Sequence, residues 1–203
     1  LRTILLLEAD ANMNYKRLGK DAMWNAERAQ ALSPENYGGR KKHRAAEVSL
    51  NQRLCSDLLR QKRRAGIICS NDAKGCFDRI VHSVATICLQ RFGVQSHPIR
   101  SMLEAIQQMT HQVRTAFGDS DITYGADPTK PPQQGLLQGN GAAGPGWSAV
   151  CTPIIEMMRS MGLGYQSWSA ISHEAIRIVL FGFVNDNDLI HSAASNTTPG
   201  EDL

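Results

Sequence analysis

The stretch VLFGFVNDNDLIHSA, residues 179–193, places Asn185, Asp186, Asn187 and Asp188 at what reads as the tip of a tight hairpin. Asn and Asp suit turns because their side chains bond nearby backbone and tolerate unusual dihedrals. Carboxylates fixed at such a tip can also hold a metal ion. A further carboxylate, Asp72, stands where the short apolar strand Ile67-Ile68-Cys69 runs out, in SNDAKGCFD. The two stretches are far apart in the chain, yet adjacent strands of one sheet would bring them together. Two or three carboxylates there would hold two Mg²⁺ ions, which want hard oxygen ligands and keep phosphate oxygens in their shell. Such a pair clamps the attacking and leaving oxygens of a phosphoryl displacement.

A third feature lies between them. The stretch QQGLLQGNGAAGPGW surrounds Gln138 and Gly139 with glycines just before a helix. A Gly-rich loop lets backbone approach a flat ligand closely. Each feature also has a plain structural reading. Asp72 would be a cap or turn residue, Phe77 a core residue and the glycines a flexible connection.

The elements that must position these residues follow from periodicity and punctuation. Residues 2–8 alternate weakly and read as a strand. Asp10 or Asn12 could cap a helix running to about Leu32, interrupted by Gly19. The turn-rich SPENYGGRKKHR follows. Leu50, Leu54 and Leu58 give a helical stripe across 45–64, with Gly66 as the stop. Ile80, Val84, Ile87 and Cys88 mark another helix. Met102, Ile106, Met109 and Val113 mark the next, opening near Pro98, and their methionines read as core. Residues 118–146 read as loop. Trp147, Val150, Ile154, Met158 and Met161 mark a last helix, ended by Gly162 and Gly164, before a strand from Ile176 to Phe183. Helices and strands mix without regular βαβ alternation, which makes the class α+β.

Taken in order, the three motifs resemble a reverse transcriptase, an RNA-directed DNA polymerase, of the kind found in non-LTR retrotransposons. SNDAKGCFDRIVH resembles the family's first palm motif, GLLQGNGAAGPGW the second and FVNDNDLIH the third. LRTI resembles its opening strand and YGGRKKHRAAE its fingers segment, so nearly the whole chain is covered. The resemblance implies a right-hand polymerase fold: a small antiparallel palm sheet backed by helices, with a mainly helical fingers part. Residues 1–66 would be fingers-like and 67–203 palm-like, with the thumb absent from this stretch. The chain, which opens without Met, reads as a piece of a longer protein.

Site residues follow by position. Asp72 matches a metal-binding aspartate. Asn185 and Asp186 match the two adjacent aspartates of the third motif, so Asp72 and Asp186 are the metal ligands and Asn185 stands at an aspartate position. Phe77, five residues after Asp72, matches the aromatic gate against a 2′-OH. Gln138 and Gly139 match the nucleotide-side loop, and Arg2 a fingers arginine that meets the triphosphate. The implied cofactor is Mg²⁺, with Mn²⁺ as a substitute. The implied partners are an RNA template, a DNA primer and deoxynucleoside triphosphates. Pro145 sits one residue later than the family pattern.

The departure at Asn185 matters most. An amide oxygen can coordinate Mg²⁺ but brings no negative charge. Asp188 cannot substitute by register, because alternation along a strand puts it on the face of Asp186. Two rivals therefore stay open: a non-catalytic nucleic-acid-binding remnant of a polymerase fold, and an RNA-dependent RNA polymerase. Phe77 opposes the second, because that class admits the 2′-OH.

Two basic runs suit phosphate: Arg40, Lys41, Lys42 and Arg44, then Arg60, Lys62, Arg63 and Arg64. Contacts of this kind release counterions and bind without regard to sequence, although charge runs also serve as solvated surface. A hydrophobic fraction of 42% supports a packed core, and 20% charged residues argues against disorder. Five cysteines with no CxxC pair argue against a zinc site or disulfide framework and for an intracellular, cytoplasmic or nuclear setting, not a secreted one. No apolar run is long enough to span a membrane.

Overall fold

The computed structural model describes residues 4–127, 129–169 and 171–193. The chain divides into two compact units, each drawn from two stretches. One comprises Leu1–Ala29 with Gly75–Gly146, the other Gln30–Lys74 with Trp147–Leu203.

The first unit is mainly helical. Helix α1 (Ala9–Arg28) buries Gly19, Ala22, Met23 and Ala26. Gly19 is required by packing: a Cβ there would lie 2.9 Å from Pro145 Cγ and 3.1 Å from the Gly141 carbonyl oxygen. A 3-10 turn, Phe77–Arg79, leads to α3 (His82–Arg91) and α4 (Ser96–Gln108). Ile99, Met102, Leu103 and Ile106 form the buried stripe of α4, at the i, i+3, i+4, i+7 spacing of one helix face. Strands β2 (Thr110–Thr115) and β3 (Gly118–Gly125) then form a two-stranded antiparallel hairpin.

The second unit holds a three-stranded antiparallel sheet in the order β1-β7-β6: β1 (Gly66–Asp72), β6 (Leu180–Phe183) and β7 (Asp186–Ser192). Helix α2 (Ala45–Gln61) lays Cys55 and Leu59 against Tyr165, Phe181 and Ile190. Helix α5 (Ala143–Ser160) contributes Cys151 and Ile155, which pack with Val179 and Leu180. Strands β4 (Tyr165–Trp168) and β5 (Ala175–Ile178) make a separate hairpin. No two cysteines form a disulfide among the described residues. Burial pushes the Cys55 thiol up to about 11. Among the described residues no helix is long and apolar enough to cross a membrane.

Several expectations are corrected. Residues 4–8 form no strand. Helix α1 starts at Ala9, with Glu8 rather than Asp10 or Asn12 in the cap position, and ends at Arg28 rather than Leu32. The Leu50–Leu54–Leu58 stripe is not the buried face of α2: Leu50 and Leu54 are exposed, and the helix is turned by one residue onto Cys55 and Leu59. That helix closes with Arg63 in the left-handed region at φ 52°. Gly66 opens β1 instead of stopping the helix. Ile80 precedes α3, Val84 and Ile87 face solvent, and His82 takes the buried place. Met109 and Val113 prolong the spacing of α4 by coincidence, because the chain turns into β2 after Gln108. The loop expected from 118 begins as β3. The strand expected over 176–183 breaks at Val179, whose N–H turns aside to bond Glu35 Oε1 at 3.3 Å.

Candidate functional site

In the second unit, β1 and β7 pair in a register that sets Asp72 directly opposite Asp186. Directly opposed residues share a face with their Cβ atoms about 5 Å apart. The expected juxtaposition of Asp72 with the hairpin is therefore present. Both carboxylates are exposed. Two like charges so placed destabilise the strand pair, and among the described residues neither has a cationic partner. What meets Asp72 is the hairpin's amide: Asn185 Nδ2–H donates to Asp72 Oδ1 at 3.2 Å. Asn187 Nδ2–H in turn donates to the Asn185 carbonyl at 3.1 Å. Asp188 lies two residues beyond Asp186 on the same strand face, opposite Ser70, and accepts from Gln52 Nε2 at 3.1 Å.

The tip is a two-residue turn, Val184–Asn185, between the paired residues Phe183 and Asp186. Val184 has φ 58°, a left-handed conformation that a β-branched residue rarely adopts. Its surroundings hold it there. Trp147 Nε1–H donates to the Val184 carbonyl at 2.6 Å. Gly38 approaches so closely that a Cβ would sit 2.2 Å from the Val184 nitrogen. The 35–37 segment is laced to β6, with Gly182 N–H bonded to the Glu35 carbonyl and Tyr37 N–H to the Gly182 carbonyl, at 3.0 and 2.9 Å. Glu35 is buried, and both its carboxylate oxygens accept from Arg159 Nη2, at 2.6 and 2.5 Å. Burial works against the Arg159 charge, and the hydrogen bonds to Glu35 and Glu156 outweigh it and raise its pKa.

Phe77, Gln138 and Gly139 lie in the first unit. The loop at 135–141 is fastened along its length. Leu136 N–H bonds the Phe77 carbonyl at 2.7 Å and Gly135 N–H the Ile80 carbonyl at 3.1 Å. Asp78 Oδ1 accepts the Gln138 backbone N–H at 3.3 Å. The Gln138 carbonyl accepts from Leu5 N–H at 2.8 Å. Gly139, at φ 114°, leaves no room for a side chain, since a Cβ would meet the Leu5 oxygen at 2.1 Å. Asn12 bonds both the Gly139 carbonyl and Gly141 N–H, at 3.2 and 2.8 Å. The buried His82 bonds the Gly135 carbonyl through Nε2 and Gln107 Nε2 through Nδ1, both at 2.8 Å. Sequence reasoning missed Asp78, His82 and Asn12 as fasteners. The second aspartate of D-x4-F-D was the available signal for Asp78.

Of the basic residues, Lys41, Lys42 and Arg44 are exposed. Arg40 turns inward, donating to the Ser33 and Asn36 carbonyls at 3.3 and 3.2 Å. Arg64 bonds the Gln166 carbonyl at 2.7 Å and Ser192 Oγ at 3.2 Å, and Lys62 bonds Ser167 Oγ at 2.6 Å. These three cations are thus engaged within their own unit. Arg2 lies outside the described residues.

The chain shares its fold with telomerase. A structure of telomerase from Candida albicans, in complex with a TWJ fragment of telomeric RNA, matches with a TM-score of 0.53 at 10% identity, over 88% of this chain and 29% of that one. The corresponding structure from Candida tropicalis matches with a TM-score of 0.54 at 13% identity, over 87% and 28%. The likeness is one of fold, a mixture of helices and small antiparallel sheets. The chain spans less than a third of the telomerase chains it matches. No family model and no curated protein matches the sequence.

The donor chemistry can be compared with the expected metal ions. Asp72 and Asp186 offer hard carboxylate oxygens on one strand face, which fits a single Mg²⁺. Among the described residues no group of three or more His, Cys, Asp or Glu side chains is placed to hold a metal. The donors therefore do not fit a pair of divalent ions, whose mutual repulsion needs more fixed negative charge.

Proposed function

We propose that this chain is the fingers-and-palm part, 1–66 and 67–203, of an RNA-directed DNA polymerase of the non-LTR retroelement type, weakened at its metal site. The observation that carries the reading is the opposition of Asp72 and Asp186 on adjacent antiparallel strands, at a strained hairpin tip, in a fold shared with telomerase. RNA template, DNA primer and deoxynucleoside triphosphates would be its partners, in an intracellular setting.

Asp72 and Asp186 would hold Mg²⁺, or Mn²⁺ in its place. When bound, the ion would offset the negative charge of a triphosphate. The protein's own groups would do the rest. Phe77 would exclude a 2′-OH and so favour deoxynucleotides over ribonucleotides, against the RNA-polymerase alternative. The backbone of Gln138 and Gly139, held rigid by Asp78, Leu5 and Asn12, would back the incoming nucleotide. Arg2 would meet the triphosphate. Lys41, Lys42 and Arg44 would contact phosphates of the nucleic acid. Arg40 would act there by shaping the loop, since its guanidinium is engaged with carbonyls.

A second reading is a nucleic-acid-binding remnant without catalysis. The bond from Asn185 to Asp72 favours it, because the amide occupies a lone pair that a metal would use. Primer extension on an RNA template, by the full protein that carries this chain, separates the two. The first reading expects metal-dependent incorporation of deoxynucleotides that Asp72→Asn abolishes, and admission of ribonucleotides by Phe77→Val. RNA binding with no extension in Mg²⁺ or Mn²⁺ supports the remnant.

A further inference from the structure

Helix α1 presents two unlike faces. Its inner face buries Gly19, Ala22, Met23 and Ala26. On its outer face Met13, Arg17, Lys20, Trp24 and Arg28 fall within an arc of about 80° at 100° per residue, and Lys16 borders it. The arc runs about 22 Å along the helix. All six side chains are exposed, Trp24 at 61% and Met13 at 71%. The helix already has its buried face, so packing gives no reason for an outward indole. The four cations have no ion-pair partner among the described residues. Asp21 and Glu27 flank the arc on either side, and Asp10 stands at the opposite end of the helix from Arg28.

We infer that the outer face of α1 binds single-stranded nucleic acid, with Trp24 stacking on an unpaired base while Arg17, Lys20 and Arg28 meet phosphates on either side of it. The indole has cations at i−7, i−4 and i+4, so one exposed π-face lies in a line of positive charge. That is the combination that tracks a single strand without reading its sequence. Charge complementarity decides the occupant. Two apolar side chains eleven residues apart are too few for a protein hot spot or for a helix lying in a membrane. Four cations without an ion-pair partner among the described residues suit a polyanion. The site lies within one compact unit and uses none of Asp72, Asp186 or the hairpin, so it stands whether or not the chain polymerises.

The test uses the whole chain with fluorescein-labelled rU20, dT20 and a 20-base-pair duplex, by anisotropy across a salt series. Trp24→Ala should weaken binding of both single strands by roughly 5- to 100-fold, from the usual loss of one stacked base, and leave duplex binding nearly unchanged. Trp24→Phe should retain most of the affinity. Arg17→Ala, Lys20→Ala and Arg28→Ala together should flatten the salt slope by about 2, at about 0.7 per phosphate contact on a single strand. Arg100→Ala, which removes an exposed cation of α4 already paired with Glu104, should bind as the parent does, which separates this face from a general loss of positive charge. Far-UV circular dichroism checks each variant, and Trp24→Gln replaces Trp24→Ala if the latter unfolds. Single-strand binding that is unaffected by Trp24→Ala or Trp24→Gln would overturn the inference. So would equal losses for duplex and single strand, or an unchanged salt slope in the triple variant. The first result would leave the face to an acidic protein surface.

Discussion

Asp72 and Asp186 are direct cross-strand partners, and the Asn185 amide bonds the first of them. Two exposed carboxylates opposed in this way repel each other. The repulsion is a stability cost that a bound cation would reverse. Asp186→Asn should therefore stabilise the chain in the absence of divalent ions, by up to about 1 kcal/mol, the scale of a cross-strand pair. It should also remove any rise in melting temperature caused by Mg²⁺. Thermal melts with and without Mg²⁺ measure both effects. A parent chain that gains nothing from Mg²⁺ would mean that the pair is not a cation site.

The tip itself is under strain. Val184→Gly should relieve the left-handed backbone at φ 58° and raise stability by about 0.5–1 kcal/mol. Gly38→Ala should do the reverse by about 2 kcal/mol or more, because its Cβ would press on the Val184 nitrogen. Urea midpoints at constant m-value would show the two shifts in opposite directions.

Glu35 anchors the segment that supports β6. Its carboxylate accepts from Arg159, from Ser33 Oγ and from Val179 N–H. Glu35→Ala would leave the Arg159 guanidinium without its buried partner and the Val179 N–H without an acceptor. A loss of about 3 kcal/mol is expected from breaking a buried pair. A loss below about 1 kcal/mol, read by urea unfolding, would mean that water replaces the carboxylate there.

Alkaline pH tests the packing of α2. Burial raises the Cys55 thiol from 9.0 to about 11 in the folded chain. The folded state thus holds its proton where the unfolded state has released it. The stability from this group is whole below pH 9 and is lost as pH rises from 9 to 11. Cys55→Ala should melt with a shallower pH dependence across that window, after allowance for its lower starting stability. Identical slopes would place the thiol in contact with water.

What could be read in advance had local causes. Strand β1, the hairpin at 184–185 and the register facing Asp72 with Asp186 were legible because apolar runs end abruptly in Asp and Asn. The mixed helix-and-sheet class was legible from periodicity. The β2–β3 hairpin was hidden because Met109 and Val113 continue the spacing of Met102 and Ile106 past the point where the chain leaves the helix. The face of α2 was misjudged because three leucines are a stronger signal than Cys55 and Leu59, and only Tyr165, Phe181 and Ile190 decide between them. Glu35, His82 and Asn12 were invisible as anchors, since their partners Arg159, Gly135 and Gly139 are distant in sequence. The strain at Val184 depends on Gly38 and Trp147, which no local pattern connects to it.

The metal site proposed for Asp72 and Asp186 lacks one negative charge at Asn185. Template-directed primer extension in Mg²⁺, by the full protein and its Asn185→Asp variant, tests it most directly. A carboxylate at 185 would end the amide's bond to Asp72 and add a third fixed charge beside Asp186. With a bound nucleotide covering the tip and excluding water, one such charge would be worth several kcal/mol, and about 4 kcal/mol corresponds to roughly a thousandfold in rate. The account predicts slow or absent extension by the parent, partial recovery in Mn²⁺, and a gain of up to about three orders of magnitude in the variant. Vigorous Mg²⁺-dependent extension by the parent, unimproved by Asn185→Asp, would contradict it.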